Sequence, residues 1–152
     1  MPRAAGLARH WRRAAGAAIL VSVAAAAPAR AIEEALAAAE VDAHPDTVWA
    51  LLTDFDRWEQ VFPAVTSLAV DRVDADRVRL HTRTRVAGGT VRYTLAATLD
   101  RGARRIDRAL DPRAPSDVAL LTSSCRLRET PAGRTRIELH VRSESGFAVP
   151  GF

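Results

Sequence analysis

A strict alternation of side-chain polarity is the sequence feature that most constrains the fold. In residues 77–86, RVRLHTRTRV, arginines and His81 take every second position, and apolar residues or threonines take the others. The same period of two recurs in residues 90–99, 118–128 and 134–142, and more weakly in 64–73 and 104–110. Successive side chains of a strand point to opposite faces, so this pattern predicts an antiparallel sheet with one covered and one wet face.

The alternation also predicts which residues form the covered, inner face of the sheet. The Gly88-Gly89 pair between the first two runs predicts a hairpin turn there. The predicted inner residues are Val78, Leu80, Thr82, Thr84 and Val86, then Val91, Tyr93, Leu95, Ala97 and Leu99, then Ala119, Leu121, Ser123, Cys125 and Leu127, and finally Thr135, Ile137, Leu139 and Val141.

The segment before these strands combines one strand with one helix. Residues 33–43 are rich in alanine, which favours a helix, but Ala39 and Val41 alternate with acids, and this favours a strand. His44-Pro45-Asp46 predicts a helix start, because proline is tolerated at the first helical position and an early acid complements the helix dipole. Residues at helical spacing predict its buried side: Val48, Leu51, Leu52 and Phe55.

A second, short helix is predicted over residues 57–62, where Pro63 stops it. Asp54 and Asp56 lie in the turn before it, and we expect their carboxylates to cap its backbone N–H groups. Trp49 is next to the buried side of the first helix, so we interpret it as a packing residue.

Residues 1–31 have the pattern of a secretory signal peptide. Four arginines precede an apolar stretch that is too short for a membrane helix, and Ala29-Arg30-Ala31 fits a cleavage site; an uncleaved anchor is the alternative. Cleavage would leave a single domain, residues 32–152, in the periplasm or outside the cell. It would also remove five of the 22 arginines, leaving 17 against 18 acidic residues. This net charge of −1 gives no basis for nucleic-acid binding.

The sequence predicts no metal site and no cofactor. Cys125 is the only cysteine, so an internal disulfide is excluded, and neither CxxC nor HExxH occurs. His81 and His140 fall on the outward face, where solvated surface is the expectation. The outward arginines of residues 77–85 are expected to keep the sheet soluble, with binding to anionic membrane surfaces as a weaker alternative.

The predicted inner face contains more hydroxyl groups than a dense core needs. A buried hydroxyl without a partner costs roughly 1–3 kcal/mol. The threonines, Ser123 and Tyr93 therefore indicate either internal hydrogen bonds or a cavity with polar points, which is the composition of small-molecule pockets.

Residues 41–65, VDAHPDTVWALLTDFDRWEQVFPAV, resemble the opening of the START-like (SRPBCC) superfamily, in its polyketide cyclase/dehydrase and coenzyme-Q-binding branch. Residues 123–141 are similar to a later strand pair of that family. The resemblance implies an α+β helix-grip fold: a curved antiparallel sheet, two short helices after the first strand, and a hydrophobic cavity under a long C-terminal helix. Cys125 and Ser123 replace the usual Trp and Gly, which implies that this wall of the cavity is either wider or degenerate.

The sequence ends with residues 145–152, SGFAVPGF, where the family's long C-terminal helix would begin. We therefore expect a START-like ligand-binding domain that is C-terminally incomplete in this chain, through truncation or because a partner or second copy fills the groove. A lipocalin-like barrel is the rival fold, but it lacks the predicted helical pair.

The resulting hypothesis is an exported binding protein for a hydrophobic small molecule or lipid, without covalent chemistry. The predicted ligand-binding residues are Trp58, Phe62, Leu80, Thr82, Thr84, Tyr93, Leu95, Ser123 and Cys125. One alternative is a polyketide cyclase/dehydratase-like enzyme using Tyr93, although the predicted inner face offers no His, Glu or Asp for proton transfer. The other is an interaction domain whose open groove binds a partner helix.

Overall fold

The computed structural model describes residues 32–86 and 89–144, which form one curved antiparallel sheet and two short helices. The strands are β1 (Glu33–Val41), β2 (Val65–Arg72), β3 (Arg77–Val86), β4 (Gly89–Asp100), β5 (Arg105–Leu110), β6 (Leu120–Glu129) and β7 (Thr135–Glu144). The helices are α1 (Pro45–Thr53) and α2 (Trp58–Val61), with a 3₁₀ turn over Phe55–Arg57 between them. The predicted signal peptide, Gly88 and residues 145–152 lie outside the described residues.

The seven strands are ordered β1-β7-β6-β5-β4-β3-β2 across the sheet, and every neighbouring pair is antiparallel. Strands β2 to β7 follow one another as a meander, whereas β1 pairs with β7 at the far end of the sequence. The α+β class, the strand before the helices and the order of all later elements are as the sequence predicts.

The predicted inner face is correct for β3 and β4. Val78, Leu80, Thr82 and Thr84 are all buried on β3, while the arginines between them are exposed or half-buried. These inner residues pair across to buried residues of β4, for example Leu80 with Leu95. Alternating polarity in these strands therefore reports burial directly.

The prediction for Ala119 is wrong, because this residue is exposed and precedes β6. The Ser116 hydroxyl accepts a bond from the Val118 N–H at 3.0 Å and donates to the Val118 carbonyl at 2.8 Å. This local turn buries Val118 and delays the strand until Leu120.

Helix α1 begins as the sequence predicts. Pro45 is its first residue, and the Nδ1 atom of His44 accepts a hydrogen bond from the Asp46 N–H at 3.3 Å. The predicted capping of the second helix is wrong, because neither Asp54 nor Asp56 caps it. Asp54 instead pairs with Arg57 at 3.1 Å, since a guanidinium one turn away competes better for the carboxylate than backbone N–H groups. Asp56 pairs with Arg72 of β2 at 3.3 Å.

Two hydrophobic clusters attach the helices to the inner face. Val48 and Trp49 of α1 pack with Ile106, Cys125 and Leu127, which confirms Trp49 as a packing residue. Phe55 is fully buried and anchors a second cluster on β3 and β4.

The buried Thr135 hydroxyl fixes the far end of the sheet by donating to the Ala43 carbonyl at 2.6 Å. Because Ala43 lies just before α1, this bond ties β7 to the connection between β1 and the helix.

Candidate ligand-binding site

The helices cover part of the inner face of the sheet and leave the rest, which we call the open half, uncovered. Helix α1 packs on Ile106, Cys125 and Leu127 of β5 and β6. Phe55 and its neighbours cover β3 and β4, where Leu80 is fully buried. At the other end, the β1 residues Ala35, Ala37 and Ala39 are exposed, and their β7 partners are only half-buried. Among the described residues, the open half therefore offers apolar strand surface to solvent or to a ligand.

Arg108 of β5 is the unexpected residue of this face. It pairs with Ala97 of β4 and Ser123 of β6, so its side chain shares their face of the sheet. Its Nε atom is buried and has no hydrogen-bond partner among the described residues. The side chain as a whole is half-buried.

An aromatic row lies beside Arg108. The ring centroids of Phe55 and Trp58 are 5.0 Å apart, and those of Trp58 and Phe62 are 5.1 Å apart. The Trp58 indole N–H donates to the Leu52 carbonyl at 3.2 Å, which fixes the ring orientation. The Arg108 Cζ atom lies 5.3 Å from the Trp58 ring centroid, a cation–π distance. The predicted residues Trp58 and Phe62 are thus brought together, with Trp58 beside Arg108.

The titratable groups around Arg108 influence one another. Burial lowers the pKa of Arg108, and Cys125 and Tyr93 oppose this shift. Burial raises the pKa of Tyr93 above its usual 10.0, while the Thr84 hydrogen bond and the Arg108 charge oppose that shift. Burial likewise raises the pKa of Cys125 above 9.0 against the Arg108 charge. At neutral pH the site therefore contains one cation and two neutral acids.

Most of the inner hydroxyls are satisfied by the protein itself. The Thr84 and Tyr93 hydroxyls are 2.8 Å apart and both are buried. Thr82 donates to the Leu80 carbonyl at 3.3 Å. Of the two explanations that the sequence left open, internal hydrogen bonding accounts for these three residues.

The remaining predicted ligand-binding residues divide between the two halves. Leu80, Thr84 and Leu95 lie in the covered cluster, whereas Ser123 lies across from Arg108 and is half-buried. Cys125 is buried against α1. The role of all nine residues as ligand contacts stays a prediction.

Arg108 is the site residue that the sequence-based prediction missed, whereas the predicted burial of Phe55 is confirmed. The signal for Arg108 was present, because it follows Ile106 at a spacing of two and thus shares the face of a buried residue. The strand at residues 104–110 was one of the two weaker predicted strands, and an arginine was not expected to point inward.

His81 and His140 lie on the outer face, as predicted, but each of them pairs with an acidic side chain. His81 Nε2 lies 2.8 Å from Asp71, its Nδ1 lies 3.0 Å from Thr94, and His140 pairs with Glu34.

Two grooves of about 440 and 540 Å³ lie on the same outer face, lined mainly by polar and charged side chains. Within the described ranges, no cluster of three metal-ligating side chains occurs, and no helix is long and apolar enough to cross a membrane.

Comparison with solved structures supports the fold. The chain is similar to the Zhui aromatase/cyclase from Streptomyces sp. R1128, with a TM-score of 0.67 and 20% identity, covering 80% of this chain and 71% of that one. It is similar to a protein from Thermus thermophilus, with a TM-score of 0.68 and 21% identity over 78% and 77% of the two chains. A START superfamily protein from Mycobacterium smegmatis gives a TM-score of 0.63 and 16% identity over 78% and 81%.

No curated protein matches the sequence. A family model described as polyketide cyclase/dehydrase and lipid transport matches residues 32–152. Together with the START-like fold that the chain shares with these solved structures, this match shows that the chain belongs to the polyketide cyclase/dehydrase and lipid transport family.

Proposed function

We propose that the protein binds a hydrophobic small molecule or lipid on the open half of its inner face, without covalent chemistry. The observation that carries the proposal is the half-covered inner face, where apolar strand residues lie next to the aromatic row around Trp58 and a cation without a carboxylate partner among the described residues. The family's description, which includes lipid transport, supports it.

The open half gives a ligand a physical reason to bind. Leu121, Leu139 and Val141 are half-buried and sit on the same face as the exposed alanines of β1. Covering apolar surface contributes roughly 2.5 kcal/mol for every 100 Å² removed from water. Leu121 packs at the edge of the Phe55 cluster and Leu139 at the edge of the α1 cluster, so a hydrocarbon body lying across β6, β7 and β1 would extend the covered core.

Covalent chemistry at Cys125 is a poor fit to the site. Its raised pKa keeps the thiol protonated at neutral pH, and the thiolate is the reactive form. The two described histidines of the sheet, His81 and His140, are on the outer face and cannot serve it as a base.

Native mass spectrometry of the purified protein, followed by solvent extraction of the bound species, tests the proposal. Adjacent residues on opposite faces provide matched variants. Val141→Asp puts a charge into the open half and is expected to release the ligand. Arg142→Asp, on the exposed outer face, is expected to retain it. The absence of any bound species, together with no thermal shift across a panel of lipids and quinones, would contradict the binding function.

A cyclase/dehydratase-like activity is the second candidate, and one observation favours it. Arg108 and Tyr93 lie on the same face of the sheet, and the Arg108 charge lowers the pKa of the Tyr93 phenol against the effect of burial, so the inner face provides a cation and a hydroxyl of the kinds that stabilise a developing enolate. Turnover of a polyketide-like chain that is lost in Tyr93→Phe, with binding retained, would support this activity over simple binding.

We also propose that the protein acts after export to the periplasm or to the outside of the cell, because residues 1–31 have the signal-peptide pattern. N-terminal sequencing of protein recovered from the periplasm or medium is expected to begin at Ile32. Recovery of the uncleaved chain from the cytosol would contradict export.

A further inference from the structure

We propose that Arg108 binds the anionic end of the ligand, and that the ligand is an amphipathic carboxylate, with an apolar body and one carboxylate group. This inference rests on the proposed binding function and adds the chemical class of the ligand to it.

The geometry directs the Arg108 side chain toward this role. Its register partners Ala97 and Ser123 are small, so the long side chain can lie over them on the inner face. Trp58 covers one side of the guanidinium at 5.3 Å, and the Nε atom is buried without a partner among the described residues. The group is thus held in place by packing, while its hydrogen-bonding capacity is left unused.

None of the described acidic side chains supplies the missing anion. All 18 acidic residues lie within residues 33–144, and all of their side chains are described. Ten arginines form ion pairs with them: Arg57, Arg72, Arg77, Arg79, Arg92, Arg104, Arg105, Arg128, Arg134 and Arg136. Arg108 has no ion pair with any of these acids, although it is among the more buried arginines. A buried charge without a partner is costly, so an external anion completes the site.

The single charge selects a carboxylate over a phosphate. The other arginine of the inner face, Arg72, is already paired with Asp56 at 3.3 Å. One planar guanidinium matches one carboxylate in both charge and bidentate geometry, whereas a phosphate monoester brings a second negative charge, for which the described strands have no second unpaired arginine on the inner face. The apolar body would then extend from Arg108 across Leu121 and Val141 toward β1.

Dodecanoate and methyl dodecanoate are matched probes, since they share the apolar body and differ mainly in the negative charge. Isothermal titration below the micelle concentration should show the wild-type protein binding dodecanoate about tenfold tighter than the ester. In Arg108→Gln the two affinities should become equal, with ester binding unchanged. Arg83→Gln removes a charge from the exposed outer face of β3 and should keep the tenfold preference.

A second readout needs no variant. Tyr93 is the only tyrosine, and the Arg108 charge holds its pKa down against burial. The carboxylate of bound dodecanoate should compensate the positive charge of Arg108, so that the pKa of Tyr93 rises. The absorbance titration of the phenolate should then move to higher pH, whereas the uncharged ester should leave it unchanged. Equal affinities for acid and ester in the wild-type protein, or an unchanged Tyr93 titration with dodecanoate bound, would overturn the role of Arg108 and leave the binding function intact. Failure of both probes to bind would count against the binding function itself.

Discussion

The hydrogen bond between Thr84 and Tyr93 allows a direct test of how the hydroxylated interior is stabilised. The two hydroxyl oxygens are 2.8 Å apart, with exposures of 2% for Thr84 and 8% for Tyr93. Tyr93→Phe leaves the Thr84 hydroxyl buried without its partner, and Thr84→Val does the same to Tyr93. Each single change should lower the free energy of unfolding by about 1–3 kcal/mol.

The double variant is the informative one. Removing both hydroxyls leaves two apolar side chains of nearly the same shape, so its cost should be less than the sum of the single costs by about 1–3 kcal/mol. Urea denaturation followed by far-UV circular dichroism measures the free energy of unfolding of the wild-type protein, the two single variants and the double variant. Thr90→Val, at an exposed position on β4, is the control and should change the stability by less than about 0.5 kcal/mol. If the cost of the double variant equals the sum of the two single costs, the internal hydrogen bond is refuted. The two hydroxyls would then be better explained as ligand contacts.

Three further predictions concern stability. Phe55→Ala should cost about 3–5 kcal/mol in urea denaturation, because the ring is fully buried and packs on Trp58; a loss under about 1.5 kcal/mol would show that the 3₁₀ turn does not anchor the cluster. Burial raises the pKa of Cys125 above its usual 9.0, so the folded state keeps a proton that the unfolded state releases. Stability should therefore fall as the pH rises from about 9 through the folded-state pKa, and less so in Cys125→Ala; identical pH profiles would contradict the raised pKa. Asp111→Ala should cost about 1.5–3 kcal/mol in thermal or urea denaturation, because it breaks the 2.9 Å ion pair of a buried carboxylate with Arg79; a neutral effect would mean that solvent already replaces the pair.

The fold was predictable where one physical effect decides the sequence pattern. Strand β3 was predicted to the residue, because burial of one face imposes a period of two along its whole length. Helix α1 was predicted from Pro45 onward, because proline and the His44 cap both favour a helix start. For β1, the sequence supported a helix and a strand to a comparable degree. Its alanines favour a helix, and because both of its faces are exposed, its side chains show little alternation of polarity.

The errors have a common origin in competition among polar groups. Asp54 could cap a helix or pair with an arginine, and the sequence does not show which donor lies closer in space. Ser116 formed a local turn that moved the start of β6, so Ala119 fell outside the strand. Arg108 was overlooked because charged residues rarely face inward, although its spacing from Ile106 required that position once the strand formed.

The pairing of β1 with β7 has a consequence for the order of events in folding. The strand made first on the ribosome gains its neighbour only after residues 135–144 have been synthesised, about a hundred residues later. Closing so long a loop is entropically expensive, so this final ladder should form late and slowly, after the local hairpins of the meander. Until then, the alanine-rich first strand is unpaired. It can therefore pass extended through a translocation channel or pair with a neighbouring chain.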